Sequence, residues 1–483
     1  MNKSIEKQEN PAVDERLINF IVFIVFLLFY SITLQRGVAG IESPGDTAKF
    51  QYIGSILGVP HSPGYPLYVI INWFWSHIPL QISQASKINL LSAFFAAGTL
   101  TFVRRTLSYL KVSRTVSLIA TAGLALSRLF WMRSTEAGPA AMSYFLVSLL
   151  LFFLVRWSIN KQKFDLWGSL IITFIAAWHT PLCLWLTPLT IIYIISVKPA
   201  AWKKCSTWFA CTAGLAIGLG VYSFIYIRSH QCAPILEYVR QNTSVKRVFL
   251  MSLNVQFWGN YFLANPKIIF IYRFPQLVSE ACRQLTYAGV FLSALGIIYL
   301  FLKKIHIAVF FTVALIAAFL FKAHIYSINL TGEYWLFFML TAYLAGIGLQ
   351  WVWNYKKKAG IILSIIYVTL IFLNTAKYNR DLLIKQNKFD VENLLLICYK
   401  DSNLLADDYY TWREILRYYN YTNPFVKKRK IKLQDNLNLY DGSTNFFISD
   451  TIKNQLDEAN VSYVPIYSNE TAVLYIIGKL ESN

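Results

Sequence analysis

The sequence predicts an α-helical polytopic membrane protein of about 11 spans, with a small α/β extramembrane domain at its C-terminal end. Three observations lead there. Hydrophobic residues make up 56% of 483 and charged residues only 14%, a balance that soluble enzymes do not show. Apolar runs close to the ~20 residues that cross a bilayer core recur through residues 17–376. The stretch 377–483 holds 14 basic and 14 acidic residues and no spanning run, so it reads as a separate soluble unit.

Taken in order, residues 1–16 form a polar tail. The span at 17–35 has no small-residue cleavage site and reads as an uncleaved anchor. Further spans are read at 88–103, 115–131, 138–155, 166–180, 182–197, 206–227, 286–302, 307–323, 334–353 and 359–376. Pro181 and the basic flanks of 166–197 favour a short hairpin over one kinked helix. Lys and Arg cluster at 3–16, 104–114, 156–163, 198–204, 303–304 and 356–358. These are alternate connections, which the positive-inside rule assigns to the cytoplasm.

The net charge of +20 therefore reflects topology, and no nucleic-acid partner is implied. The tail 1–16 is expected inside and 377–483 outside the cytoplasmic (inner) membrane, on the periplasmic side. Segment 66–80, PLYVIINWFWSHIPL, is too short for a span. As a span it would also carry Arg104, Arg105, Lys111 and Arg114 outside. It is expected to be an interfacial helix that starts at Pro66 and is anchored by Tyr68, Trp73 and Trp75. Six cysteines show no metal-type spacing, and only Cys232 and Cys282, both in the 228–284 loop, are placed to pair. In the C-terminal domain TNFFISD reads as a strand, TIKNQLDEAN as a helix and TAVLYIIG as a strand.

Residues 17–376 contain seven carboxylates against 28 Lys and Arg. Acids beside a bilayer are expensive and are usually kept for a task or a partner. The topology places Glu42, Asp46, Glu136, Glu237, Glu280 and Glu333 on the outer side and Asp165 alone on the inner. His61, His179, His230 and His324 join the outer set, so one face of the bundle collects the titratable groups that a site would need. Glu136 fits a helix cap as well as a catalytic role, His179 fits a polar tip between half-length helices, and Glu333 fits a first-turn acid. Asp46, between Gly45 and Thr47 in the loop 36–65, has no evident structural partner. The 228–284 loop sets Arg228, Arg240, Lys246, Arg247, Lys267, Arg273 and Arg283 against two acids, which suits a phosphate group or anionic lipid.

The stretch GDTAKFQYIGSILGVPHSPGYPLY resembles the first external loop of a bacterial family of polytopic proteins whose animal relative is a transmembrane protein O-mannosyltransferase. Its pattern is roughly G-D-S-G-E-F, about ten residues, then G-V-A-H-P-P-G-Y-P-L. Asp46, Gly58, Val59, His61, Pro63, Gly64, Tyr65, Pro66 and Leu67 match it. Lys49 stands where the pattern has Glu, and Ser62 replaces its first Pro. WMRSTEAGPAAMSYFL, AAWHTPLCLWLTP and IYIRSHQCAPIL are similar to later stretches of the family and align Glu136, His179 and Arg228 with its residues. SINLTGEYWLFFMLTAYLAGIG resembles the last external loop without its usual Asp.

The resemblance implies a GT-C glycosyltransferase that takes a sugar from a polyprenyl-phosphate donor and passes it to a protein or glycan acceptor hydroxyl among membrane lipids. It implies catalytic roles for Asp46, Glu42, His61 and Glu136, donor phosphate binding by Arg228 and His179, and support of substrate by Tyr65 and Glu333. No cofactor is indicated; one acid pair does not specify a divalent-cation site. Two other classes stay open on the residues alone: a transporter or flippase for lipid-linked sugars, and a non-catalytic envelope scaffold.

Overall fold

The computed structural model describes residues 11–35, 37–41, 43–237, 239–252, 266–323, 334–383, 395–396, 398, 402–406, 408–434, 445–447, 463–468 and 473–477. Every expected apolar run lies on helix. Among the described residues seven helices are long and apolar enough to cross a membrane, from Glu15–Ile32 through Lys357–Tyr378, with one bent pair and two shorter apolar helices, Leu182–Val197 and Ile305–Phe321, between them.

We label the first elements α1 (Pro11–Ile32), α2 (Pro44–Ile53), α3 (Pro66–Ser76), α4 (Gln84–Tyr109), α5 (Arg114–Ala125), α6 (Arg128–Thr135), α7 (Ala140–Asn160) and α8 (Lys163–His179). The run expected as one span at 115–131 is instead broken, with α5 and α6 meeting at 70°. A break inside an apolar bundle strands backbone groups that water would otherwise serve. Here side chains serve them. Tyr30 Oη donates to the Ala125 carbonyl at 2.9 Å, Asn379 Nδ2 to that of Leu126 at 2.7 Å, and Gln284 Oε1 accepts from Leu129 N at 2.8 Å. The bend is what carries Glu136, the C-cap of α6, sideways beneath the first loop.

At Pro181 the chain turns back as a hairpin. Thr173 Oγ1 and Thr190 Oγ1 lie 3.5 Å apart, nearly equidistant in sequence from the turn. The charged groups sort to opposite ends of the bundle. Buried Asp165, at the start of α8, is held by Arg156 Nε at 2.7 Å. Buried Arg104 meets Glu15 Oε2 at 2.6 Å. Asp165 lies 14 positions before His179, about 20 Å along the helix at 1.5 Å per residue.

Two prolines open the short helices of the first loop, Pro44 in α2 and Pro66 in α3, where a missing N–H has no cost. One expectation fails here: Tyr68 is fully buried against Phe50, with centroids 5.5 Å apart, and does not face a membrane surface.

The C-terminal region holds a five-stranded sheet of order β2-β1-β3-β5-β4, comprising β1 (Asn403–Leu405), β2 (Lys432–Gln434), β3 (Asn445–Phe447), β4 (Tyr463–Ser468) and β5 (Val473–Ile477). β1 pairs in parallel with β2 and β3, and β5 runs antiparallel to β3 and β4. The expected strands in TNFFISD and TAVLYIIG are β3 and β5; the helix expected over TIKNQLDEAN lies outside the described residues. Between β1 and β2 comes a helix absent from the sequence reading, Tyr409–Thr422, the crossover that a parallel pair requires.

Helices Phe274–Lys303 and Trp335–Tyr355 touch backbone to backbone. A Cβ on Gly348 would collide with the Leu292 carbonyl oxygen, and one on Gly296 with that of Leu344. Small residues permit such close approach between membrane helices. Gly348→Val should therefore destabilise the protein by about 3 kcal/mol, the upper part of the range for overpacking, read as a lower midpoint of thermal unfolding in detergent. An unchanged midpoint would contradict the contact.

Candidate functional site around the first loop

Buried amide side chains hold the first loop to the bundle. Gln51 Oε1 accepts from Ala39 N at 3.0 Å, Asn72 Nδ2 donates to Phe50 O at 2.8 Å, and Asn89 joins Gln35 O and Ala137 N, each at 2.8 Å. All three are fully buried, where each unmade hydrogen bond would cost about 1–3 kcal/mol. Glu136, 3% exposed, completes this support: Oε1 accepts from Ile41 N at 2.7 Å and Oε2 from Thr47 Oγ1 at 3.4 Å. Its geometry is that of a brace under the loop that carries Asp46.

A second loop arrives from the side. Val59 N donates to Ile235 O and Glu237 N to Val59 O, both at 2.9 Å, a parallel bridge that delivers Glu237. Glu237 Oε2 lies 2.6 Å from Lys49 Nζ, a cation whose side chain has no exposed surface. The third contributor is the helix Tyr409–Thr422. Glu414, fully buried, receives Tyr52 Oη at 2.7 Å and Arg413 Nη2 at 2.8 Å. Arg417 Nη1 bridges Glu237 at 2.6 Å and Glu414 at 3.0 Å. Burial alone would raise the Glu237 carboxyl; the Lys49 hydrogen bond and the charges of Lys49 and Arg417 outweigh it and hold it below the ordinary carboxylate value.

Asp46 sits at the open edge of this network, its side chain 35% exposed. Its Oδ1 accepts from Tyr410 Oη at 2.5 Å and lies 3.5 Å from His61 Nδ1 and 3.9 Å from Lys49 Nζ. Among the described residues no group bonds Oδ2. Lys49 Nζ also donates to Tyr410 Oη at 2.6 Å and lies 3.2 Å from His61 Nδ1. An ammonium can only donate, so His61 Nδ1 is the acceptor and the neutral ring carries its proton on Nε2. Burial, with the Lys49 charge adding to it against Asp46, holds His61 below the usual imidazole value.

Of the expected site residues, the structure brings Asp46, His61 and Tyr65 together, with Tyr65 centroids 5.9 Å from His61 and 6.2 Å from His179. Two expectations change. His179 is 2% exposed and its Nε2 faces the Pro139 carbonyl at 3.2 Å. The carbonyl accepts, so Nε2 holds the ring proton and Nδ1 is left as a buried acceptor, the wrong polarity for a phosphate. Arg228 directs Nε to Leu57 O at 2.7 Å, Nη2 to Ile56 O at 3.2 Å and Nη1 to Gln231 at 2.9 Å. It clasps the turn before Gly58 instead of presenting its fork outward. Glu42 and Glu333 lie outside the described residues. Cys232 and Cys282 are free thiols, so the expected pairing is not formed. Among the described residues no group of His, Cys, Asp and Glu has metal-binding geometry.

Sequence reasoning missed Lys49 as a hub, Glu237, Tyr410, Arg413, Glu414 and Arg417. A signal existed in Y-Y-T-W-R-E-I-L-R, which sets Arg413 and Arg417 four apart on one helix face.

Two outcomes follow from this geometry. Arg228→Ala should lower thermal stability by about 1–3 kcal/mol, the worth of hydrogen bonds from a charged group, and leave lipid-phosphate affinity unchanged. Lost affinity with an intact melting point would return Arg228 to phosphate binding. For His61, the unfolded ring takes its proton near its usual pKa of about 6.5 and the folded ring only at lower pH. Acidification below roughly 6.5 therefore favours the unfolded state. His61→Gln should flatten the fall of melting temperature on that side of neutrality, and identical pH slopes would refute the lowered proton affinity of the folded ring.

Residues 46–230 match the family model for the protein O-mannosyl-transferase TMEM260 N-terminal domain. The chain is 26% identical over 314 residues to protein O-mannosyl-transferase tmem260 of Dictyostelium discoideum, covering 58% of this chain and 36% of that protein. It is 23% identical over 258 residues to protein O-mannosyl-transferase TMEM260 of Mus musculus, covering 51% and 35%. The chain thus spans about a third of the length of these curated relatives. Among solved structures, ArnT from Cupriavidus metallidurans bound to undecaprenyl phosphate superposes with TM-score 0.59 at 10% identity, covering 96% of this chain and 97% of that one. Its apo state gives 0.56. The chain is thus similar to the TMEM260 protein O-mannosyl-transferases, to whose N-terminal domain residues 46–230 correspond, and it shares the fold of ArnT.

Proposed function

We propose that the protein is a membrane glycosyltransferase that moves a sugar from a polyprenyl-phosphate-linked donor to a hydroxyl of a protein or glycan acceptor. The observation that carries this reading is Asp46, a partly exposed carboxylate with one oxygen anchored and the other bonded to nothing among the described residues, at the charged end of a helix bundle. The names of the relatives support sugar transfer to a hydroxyl. The lipid phosphate in the ArnT structure supports a polyprenyl carrier.

In this reading the acceptor hydroxyl approaches Asp46 Oδ2. Its oxygen attacks the anomeric carbon while its proton passes to the carboxylate. The bond from the anomeric carbon to the phosphate oxygen breaks, and the electron pair leaves with the polyprenyl phosphate; a single displacement inverts the carbon. His61 Nε2–H is a donor suited to a phosphate oxygen, and Arg413, 32% exposed, adds positive charge nearby. The Lys and Arg clusters at 104–114, 156–163, 303–304 and 356–358 flank the other ends of the spans. The positive-inside rule then sets the Asp46 end and the domain 377–483 on the external face of the cytoplasmic membrane, with the tail 1–16 inside.

The test is transfer by purified protein supplied with a panel of polyprenyl-phosphate sugars. Asp46→Asn keeps size and loses charge, so transfer should fall roughly 10²–10⁴-fold, the usual worth of a positioned base, with the melting point nearly unchanged. Transfer at the wild-type rate in Asp46→Asn would sink the reading and leave a flippase in front.

A further inference from the structure

We propose that Tyr410, on the C-terminal helix Tyr409–Thr422, is a positioning residue for Asp46, so that the extramembrane domain supplies part of the site. The inference rests on the reading of Asp46 as the base. It comes from the direction of two hydrogen bonds. Lys49 Nζ has donors only, so Tyr410 Oη accepts from it at 2.6 Å and must send its own proton elsewhere. The acceptor on its other side is Asp46 Oδ1, at 2.5 Å. A phenol proton turned away from Asp46 would face an ammonium, so the arrangement is held in one sense.

The consequence falls on the second oxygen. With Oδ1 pinned by Tyr410 and Oδ2 bonded to nothing among the described residues, the carboxylate cannot rotate freely about its last bond, and Oδ2 stays turned to the acceptor. The ring itself is fixed on several sides. Lys49 Nζ lies 4.8 Å and Arg413 Cζ 5.1 Å from its centroid. Gly45 gives it a seat: a Cβ there would lie 2.5 Å from Tyr410 Cδ1 and 2.6 Å from Cε1. The glycine before Asp46 thus makes room for a ring that comes from 365 residues later in the chain. Burial, and then Asp46 itself, push the Tyr410 hydroxyl well above the usual phenol value, so it stays a donor throughout the working pH range.

Three measurements on the full-length protein test this. Tyr410→Phe keeps the ring and both cation contacts and removes only the hydroxyl. With undecaprenyl-phosphate mannose as probe and released or transferred mannose as readout, kcat should fall roughly 10- to 100-fold, the scale of a small misplacement of a reacting group. KM for the donor should stay at its wild-type value, and the melting temperature should fall only slightly, because Lys49 loses one of its hydrogen-bond acceptors. A purely structural role would lower the melting temperature and leave kcat of the folded protein at its wild-type value. Gly45→Ala pushes the ring out by a different route and should give a similar kcat loss. The double variant Gly45→Ala/Tyr410→Phe should lose little more than either alone. Third, 3-fluorotyrosine at position 410 should show a fluorine resonance that shifts in Asp46→Asn, a readout that needs no turnover. Wild-type kcat in Tyr410→Phe beside an inactive Asp46→Asn overturns the positioning role and leaves Asp46 as base. Wild-type kcat in both overturns both. A fluorine resonance indifferent to Asp46→Asn removes the contact itself.

Discussion

A fully buried ammonium on a short helix is the constraint around which this site is built. Lys49 has no exposed side-chain surface, and a buried cation without a partner would lose its charge or unfold its surroundings. Glu237 answers it at 2.6 Å. Glu237 reaches that point because Val59 pairs with the segment around Leu236, and it is in turn held by Arg417 at 2.6 Å. Three stretches of chain, around 49, 237 and 417, therefore depend on one another. Removing Glu237 strips the buried ammonium of its close counter-ion, a loss of about 3–5 kcal/mol in comparable cases.

The membrane part obeys a related rule with neutral groups. Water cannot serve a broken helix inside an apolar bundle, so the bend between α5 and α6 exists only because Tyr30, Asn379 and Gln284 reach the exposed backbone groups. Those three come from α1, from the end of the last long helix and from the helix Phe274–Lys303. The bend is thus a property of the assembled bundle. Its product is local: α6 ends beneath the first loop, and Glu136 can brace Ile41 and Thr47.

This division explains what could be read from the sequence. The long apolar helices were legible, because hydrophobic runs report burial directly, although seven of the 11 expected spans are long enough to cross by themselves among the described residues. The bend was not, since Arg128 at the break is the only charged residue in 115–131 and the side chains that serve the broken backbone lie on other helices. Asp46 and His61 stood out because one short motif holds both. Lys49 read as a mere departure from that motif, because its partners Glu237 and Tyr410 are 188 and 361 positions away in the sequence. Arg228 misled for the opposite reason: an arginine's fork suits a phosphate and a pair of carbonyls equally, and only geometry tells them apart.

The charges of the network sharpen the meaning of Lys49. Asp46, Glu237 and Glu414 bring three negative charges; Lys49, Arg413 and Arg417 bring three positive ones, and His61 is neutral. The cluster balances as it stands. A glutamate at position 49, as in the family pattern, would leave four negative charges against two positive within a few ångströms of one another, and Glu237 would then face a like charge where it now finds one of its two closest partners. Two of the three positive charges come from the C-terminal helix, which shares its buried Glu414 with Tyr52 of the first loop. The lysine and the docked helix are therefore best understood as one solution. The loop accepts a cation at position 49 because an acid from the second loop neutralises it. That acid is kept ionised by the lysine and by Arg417 from a domain that lies far along the chain.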